Sequence, residues 1–387
     1  MTVKDLGSWD VVVVGSGPAG AAAALSLAEG GARVLVLEKS TLPRYKTCGG
    51  GLVARAQALV PASVLDRAVQ RQFHRVELNL LDSGLTFAAE RDVPIMGAVM
   101  REEFDFALLE AACEAGAEQL APCAMRGLSE DASAQVVDTE RGRLRTQILI
   151  GADGVSSPVA RTGGWRRRLS VIPALEWEAE VPDEVFERFQ VAPRFDFGAI
   201  SRGYGWVFPK DGHLSVGIGC AGPPSTNLNQ ALRTYLEQIG CQPIRSVRKH
   251  GYVIPLRPHR RFARGRVLLT GDAAGLTDPV TFEGISHALL SGRLAAQEII
   301  RAELDPHRAG HGYQRRLARE ILPELRLARG LARLLYGPVG LRDRLFRYPG
   351  TRLVEAMTEV ICGRSSYRGY LYSPRRYARL LYSPRRS

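Results

Sequence analysis

The sequence predicts an α/β protein. It should hold a Rossmann-like nucleotide-binding domain built from separated segments, an inserted antiparallel-sheet domain and a helical C-terminal region. Three observations carry this reading. Residues 10–38 run as a strand, a glycine-rich turn, an alanine-rich helix and a second strand. Two later apolar strands also enter glycine-rich turns, at Gly151 and Gly271. Between them the chain alternates and turns in the manner of an antiparallel sheet. The nucleotide domain is expected over 1–75, 95–165 and 258–305. The sheet domain is expected over 76–94 and 166–257, and the helical region over 306–387.

Each element has a local cause. Val11–Val14 is a β-branched run, expected to be a buried parallel strand. Gly30-Gly31 stops the helix Ala21–Glu29, and Arg33–Glu38 is the next strand. Val11–Ala28 is 18 residues without a charge, the length of a membrane span. Gly15, Gly17, Pro18 and Gly20 interrupt it, so it reads as strand, turn and helix. A helix is expected near Leu52–Leu59, and two strands within Val76–Phe87 around Asp82-Ser83-Gly84. In Arg101–Gln119, Phe104, Leu108, Leu109 and Ala112 share one helical face. Arg145–Ile150 and Arg266–Thr270 are apolar strands. Asp211-Gly212 marks a hairpin between Trp206–Phe208 and Leu214–Ile218. Gly284–Leu304 reads as a helix. From His311 the chain is helical, with breaks at Gly337-Pro338 and Pro349-Gly350.

The chain has 387 residues, 52 of them basic and 40 acidic, a net charge of +12. Residues 301–387 hold 19 arginines against 7 acids, which accounts for the whole excess. The bulk of the molecule is therefore not built to grip a polyanion, and no nucleic-acid partner is expected. Arginines interleaved with Leu, Phe and Tyr over Leu331–Arg347 suit an anionic lipid surface. The expected location is the cytoplasm, with peripheral contact at the inner membrane surface. Leu371–Arg376 recurs as Leu381–Arg386, a repeat too short for a solenoid. The six cysteines form no CxxC pair and the seven histidines no HxxH or HExxH, so no metal site is expected.

Gly15-x-Gly17-x-x-Gly20 lies between a strand and a helix, and Glu38 closes the following strand. Gly15 makes the tight turn, Gly17 lets the backbone approach a pyrophosphate, and Gly20 packs helix on strand. Glu38 can accept from an adenosine ribose. An acid there disfavours a 2′-phosphate, leaving FAD or NAD. Ala19 and Lys39, beside these residues, join them as candidate cofactor contacts. No second GxGxxG is present.

Arg101 at a helix start, Gly151-Ala-Asp153-Gly154 and Gly271-Asp272-Ala-Ala-Gly275 follow in an order that resembles the FAD-dependent hydroxylase superfamily. Pro43–Gly51, with its Cys48-Gly-Gly-Gly run, Tyr204–Pro209 and Thr277–Gly284 narrow this further. Over roughly residues 8–300 the chain resembles the geranylgeranyl reductase family. The resemblance implies an FAD cofactor and reduction of isolated C=C bonds in a prenyl-chain substrate. Electrons would come from a transiently bound NAD(P)H or a reduced ferredoxin-like donor. It implies FAD contacts from Arg101, Asp153, Gly271, Asp272, Gly275, Pro279 and Gly284, the last two opening a helix under the flavin ring. It places Cys48 in the loop facing the flavin, with Tyr204 and Trp206 along the prenyl pocket, as catalytic candidates. The chemistry is coherent, because an unactivated alkene needs a positioned proton donor and a dry pocket as well as a hydride. Two other readings stand beside it: a flavin monooxygenase or halogenase on the same scaffold, and a non-catalytic prenyl-lipid carrier.

Overall fold

Val11–Val14 is buried, and strands flank it on both edges. In the computed structural model, which describes residues 4–131, 133–165, 169–222, 226–371 and 373, the strand Asp5–Val14 is the centre of a parallel sheet. It pairs in parallel with Val34–Leu37 on one side and Gly142–Gly151 on the other. Glu118–Leu120 lies beyond the first and Val267–Leu269 beyond the second. The winding therefore reverses at strand Asp5–Val14. A sheet of this kind takes its ligand in the crevice at such a reversal, at the carboxyl ends of the strands. The charge-free stretch after Asp10 resolves into this strand and the helix Pro18–Glu29. Helix Ile285–Arg301 lies against that helix so closely that a Cβ on Gly292 would sit 2.1 Å from the Ala19 carbonyl oxygen.

A second sheet has seven strands. Their order is Ser246–Pro255, Val171–Glu180, Leu214–Cys220, Gly203–Pro209, Arg194–Phe197, Arg75–Leu80 and Leu85–Glu90. All pairs are antiparallel except Arg194–Phe197 with Arg75–Leu80. The hairpin at Asp211-Gly212 forms as expected, with Trp206 opposite Gly217. One face of the sheet packs Val207, Val216 and Ile218 on the helix Leu228–Gln238. The other face turns toward the parallel-sheet half and lines a cavity. The helices Leu322–Leu335, Val339–Arg347 and Gly350–Ile361 are separated at Gly337-Pro338 and Pro349-Gly350, as the composition requires. The last of them lies across Leu85–Glu90: Gly350 meets the Phe87 ring, and Arg91 binds both Glu355 and Glu359.

Two expected elements differ. The helix expected near Leu52–Leu59 is a strand, Gly51–Val53, followed by one helical turn, Ala54–Gln57. Leu52 and Val53 are drawn into a small sheet with Met96–Val99. The helix starting at Arg101 ends at Glu114, because Gly116 adopts φ +110° and Glu118–Leu120 joins the parallel sheet. Most of the first Leu-Tyr-Ser-Pro-Arg-Arg copy and all of the second lie outside the described residues.

Candidate active site

The glycines of the first turn divide by what they touch. A Cβ on Gly15 would lie 2.4 Å from the Ala152 carbonyl oxygen, and one on Gly20 would lie 1.9 Å from the Gly15 oxygen. The chain's own packing demands both. Gly17 is different. It has an ordinary φ of −73°, and a Cβ there meets nothing nearer than the Arg44 guanidinium at 3.6 Å. No neighbour explains its bareness, and it lines the cavity. Gly17 is also the N-cap of Pro18–Glu29, with no side chain capping that end. The free amides of the first turn therefore suit an anion.

Glu38, at the end of its strand, is buried beside this turn. It accepts from Ser16 Oγ at 2.7 Å, Ser40 N at 3.0 Å and Arg44 Nε at 3.0 Å. Burial works against its charge, but Arg44 and the bonds from Ser16 and Ser40 outweigh it and hold the pKa below the usual value. Arg44 also reaches Asp105 at 3.3 Å, and Asp105 holds Arg101 through two bonds of 2.8 Å. One charge chain thus joins the strand end to the start of the helix Arg101–Glu114.

A second helix end opens on the same cavity: Gly284 precedes Ile285–Arg301, and of its first-turn amides Ser286 N is taken by Glu283 Oε1 at 2.7 Å. Asp272 stands next to it and accepts from Tyr252 Oη at 3.2 Å. Lys46 lies 4.2 Å over the Tyr252 ring, and burial followed by the Arg101 charge lowers its pKa, against the pull of Asp272.

Between these ends lies the Cys48 loop. A Cβ on Gly49 would come within 2.9 Å of Phe208 and Trp206, and Gly51 is similarly close to Phe208. The glycine run lets the loop lie flat on an aromatic strand. Tyr204, Trp206 and Phe208 alternate along Gly203–Pro209 and share one face. Opposite them, Gly217 and Gly219 leave room, since a Cβ on Gly217 would strike Trp206 and one on Gly219 would strike Phe282. Phe195 and Phe197 extend this wall from the next strand. Phe282, at the left-handed φ of 56°, stacks on Tyr204 with 5.1 Å between centroids. The Tyr204 hydroxyl donates to the Thr281 carbonyl, which fixes the ring. The Cys48 sulfur faces the Arg101 guanidinium.

The fold therefore gathers Gly17, Ala19, Cys48, Arg101, Tyr204, Trp206, Asp272 and Gly284 around one cavity. Gly15 and Gly20 support its rim, as do Gly271 (φ +54°) and Gly275 (φ +78°), while Pro279 is buried in the turn before Gly284. Glu38 lies behind the first turn and not in the cavity lining, and two further expected contacts are not brought to the cavity. Lys39 is exposed. Asp153 turns away: it takes the Ser157 hydroxyl and the Val159 amide at 2.9 Å, and so braces the first turn of the helix Pro158–Thr162, whose N-cap is Ser157. Sequence reasoning missed Arg44 beside Glu38 and, along the cavity, Lys46, Glu176, the phenylalanines at 195, 197, 208 and 282, and Val354, Met357, Thr358 and Ile361 of the late helix. The alternation of Phe195 with Phe197 and of Gly217 with Gly219 was the available signal for part of this set.

Residues 8–178 match the family described as FAD binding domain. The chain is 33% identical to digeranylgeranylglycerophospholipid reductase 1 of Methanopyrus kandleri, over 84% of this chain and 90% of that one. It is 32% identical to geranylgeranyl diphosphate reductase of Rhodobacter capsulatus, over 75% and 74%. Among solved structures it is similar to a geranylgeranyl bacteriochlorophyll reductase-like protein of Thermoplasma acidophilum. That likeness has a TM-score of 0.76 at 22% identity, over 88% of this chain and 91% of that one.

Proposed function

Because the chain belongs to the geranylgeranyl reductase family of FAD-dependent oxidoreductases, we propose that it saturates carbon–carbon double bonds of a polyprenyl chain. The observation that carries this reading is the Cys48 loop lying on an aromatic wall, inside a cavity on which two helix N-termini open.

The residues present fit FAD. The unexplained bareness of Gly17 and the helix end behind it suit the pyrophosphate, with Arg44 alongside. Glu38 suits the adenosine ribose, Asp272 the ribityl region, and the Gly284 helix end the electron-rich edge of the flavin ring. Bound FAD, once reduced by a visiting NAD(P)H or a ferredoxin-like donor, supplies the hydride.

The chain's own residues do the rest. Phe195, Phe197, Tyr204, Trp206 and Phe282 hold the prenyl chain and exclude water. Their π faces favour the positive charge that builds on an alkene carbon as it is protonated. Cys48 gives its proton to the carbon that receives no hydride, and the thiolate left behind faces Arg101, which Asp105 holds in place.

The protein is proposed to work at an anionic membrane surface. Leu334, Val339, Leu341 and Tyr348 are exposed, and Arg333, Arg344 and Arg347 are exposed among them. No helix among the described residues is long and apolar enough to cross a membrane.

Anaerobic stopped-flow measurement tests the chemistry. Flavin-loaded, photoreduced protein mixed with geranylgeranyl diphosphate or a digeranylgeranyl lipid should reoxidise its flavin and release a more saturated chain. Cys48→Ala should keep its flavin and slow that step by at least about ten-fold. Inertness toward every prenyl probe, with oxygen-dependent turnover of an aromatic compound instead, would select the monooxygenase reading.

A further inference from the structure

Glu176 lines the cavity and is only 1% exposed, yet it lies outside every motif of the sequence. Its Oε1 accepts from Ser215 Oγ at 2.8 Å, while its Oε2 is buried without a hydrogen-bond partner. A glutamine would satisfy Ser215 equally well, so packing does not call for an acid here. The Cys48 backbone amide faces this carboxyl.

Two residues further along the same strand face stands Glu178, which is bonded to Lys210 Nζ at 2.8 Å and His213 Nε2 at 3.1 Å. Lys210 is 1% exposed and Glu178 2%, but His213 is 16% exposed, so the set runs from the buried strand face beside Glu176 toward solvent. The other charged or titratable groups around Glu176 come from two elements. Tyr45 and Cys48 belong to the loop, and Arg248 and His250 to strand Ser246–Pro255, where His250 is the register partner of Glu176. Tyr45 stacks on His250 at 4.1 Å, and Tyr45 Oη and His250 Nε2 are also buried without partners. Burial, and then the neighbouring Glu178, push the Glu176 carboxyl well above the ordinary range. Glu178 is held low: burial opposes its charge, but His213 and Lys210 outweigh it. One carboxyl of the pair is ion-paired, and the other is raised to about 7 and so favours its protonated form below neutrality.

We propose that Glu176 is the proton reservoir of the reaction, restoring the Cys48 thiol after each double bond and recovering its own proton from solvent by way of the Glu178–Lys210–His213 set. This rests on the alkene-reductase reading above. The balance is as follows. Saturating one C=C takes two electrons and two hydrogens. The electrons and one hydrogen arrive as hydride, and the flavin is oxidised. The second hydrogen is the Cys48 proton, which forms the other C–H bond and leaves a thiolate. The Glu176 O–H then breaks, its proton remakes the S–H bond, and the carboxylate is reprotonated from water.

The test uses flavin-loaded protein with Glu176→Gln and Glu176→Asp, both checked for native flavin absorbance and circular dichroism. Geranylgeranyl diphosphate is the probe. Glu176→Gln should show a burst of about one double bond per chain, followed by turnover at least about ten-fold slower than wild type, with little change in KM. Wild-type kcat should fall as pH rises through the Glu176 titration, and the Gln variant should lose that dependence. Glu176→Asp should recover part of the rate. Infrared difference spectra, which need no substrate, should show a protonated-carboxyl carbonyl band in the wild type that is missing from Glu176→Gln. A Gln variant with wild-type turnover and pH profile overturns the proposal, as does a wild type lacking the carboxyl band at neutral pH. Failure of the alkene reading itself is separable, because it appears in the wild type as flavin that no prenyl probe reoxidises.

Discussion

Gly17 and Glu176 are the residues whose identity the chain's own packing does not explain. Gly17→Val should therefore fold, since a Cβ there meets no protein atom closer than 3.6 Å, and lose flavin if the proposed pyrophosphate contact lies there. The comparison is Gly20→Val, where the Gly15 carbonyl is in the way and the fold itself should suffer. Flavin content per folded chain separates the two, and full flavin in a folded Gly17→Val protein would remove the assignment of this turn. Glu176 makes a thermodynamic prediction as well. Its native pKa lies above the ordinary value of 4.5, so between the two values the native state keeps a proton that the unfolded chain has released. Stability contributed by this group is complete below the lower value and declines as pH rises through the higher one. Glu176→Gln should flatten that decline in urea-unfolding midpoints measured across pH, and parallel curves for the two proteins would contradict it.

At the scale of elements, the strand Gly203–Pro209 and the helix Gly350–Ile361 face one cavity from different parts of the chain. The helix is held from outside by Arg91, through Glu355 and Glu359, and it presents Val354, Met357, Thr358 and Ile361 inward. Met357 is only half-buried, so a larger side chain can enter without displacing the core. Met357→Trp should shorten the space for a prenyl chain. Long substrates should lose affinity by about ten-fold or more while a short one, geranyl diphosphate, loses little, and flavin retention should not change. Equal loss for both lengths would mean that this helix does not measure the chain.

For the whole molecule, the uneven charge has a consequence. The net +12 belongs to residues 301–387, and within them the exposed apolar and arginine side chains of 333–348 are adjacent. Each arginine near an anionic bilayer contributes about 1 kcal/mol, within a Debye length of about 8 Å at physiological salt. The protein should sediment with phosphatidylglycerol vesicles and not with neutral ones. Combining Arg333→Glu, Arg344→Glu and Arg347→Glu should weaken this sharply while flavin is retained. Truncation at Ser365 is a poorer test, because Tyr367 donates to Asp278 at 2.9 Å near the cavity. Equal binding of the triple variant and the wild type would place the contact elsewhere.

The sequence by itself determined the nucleotide-binding half. Its signals are contiguous, and a strand, a glycine turn, a helix and a terminal acid within 30 residues name their own geometry. It also determined the hairpin at Asp211-Gly212 and the helix breaks near residues 338 and 349, because glycine and proline act locally. Only the tertiary structure decided what faces the Cys48 loop. Periodicity puts Tyr204 and Trp206 on one strand face, but cannot say that Phe282, Met357 and Glu176 share the space in front of it. Those residues come from separate elements, and their meeting depends on sheet order and helix docking. The same limit explains Asp153, whose motif reads alike whether its carboxylate meets a cofactor or, as here, braces Ser157 and the first turn of the helix that follows. Glu176 and Glu178 alternate with Leu175 and Trp177, which puts the acids on one strand face, but only the docking of that face shows that it is buried. The chemistry of Glu176 arises from the strands that exclude water from it and from the lysine that pairs with its neighbour instead.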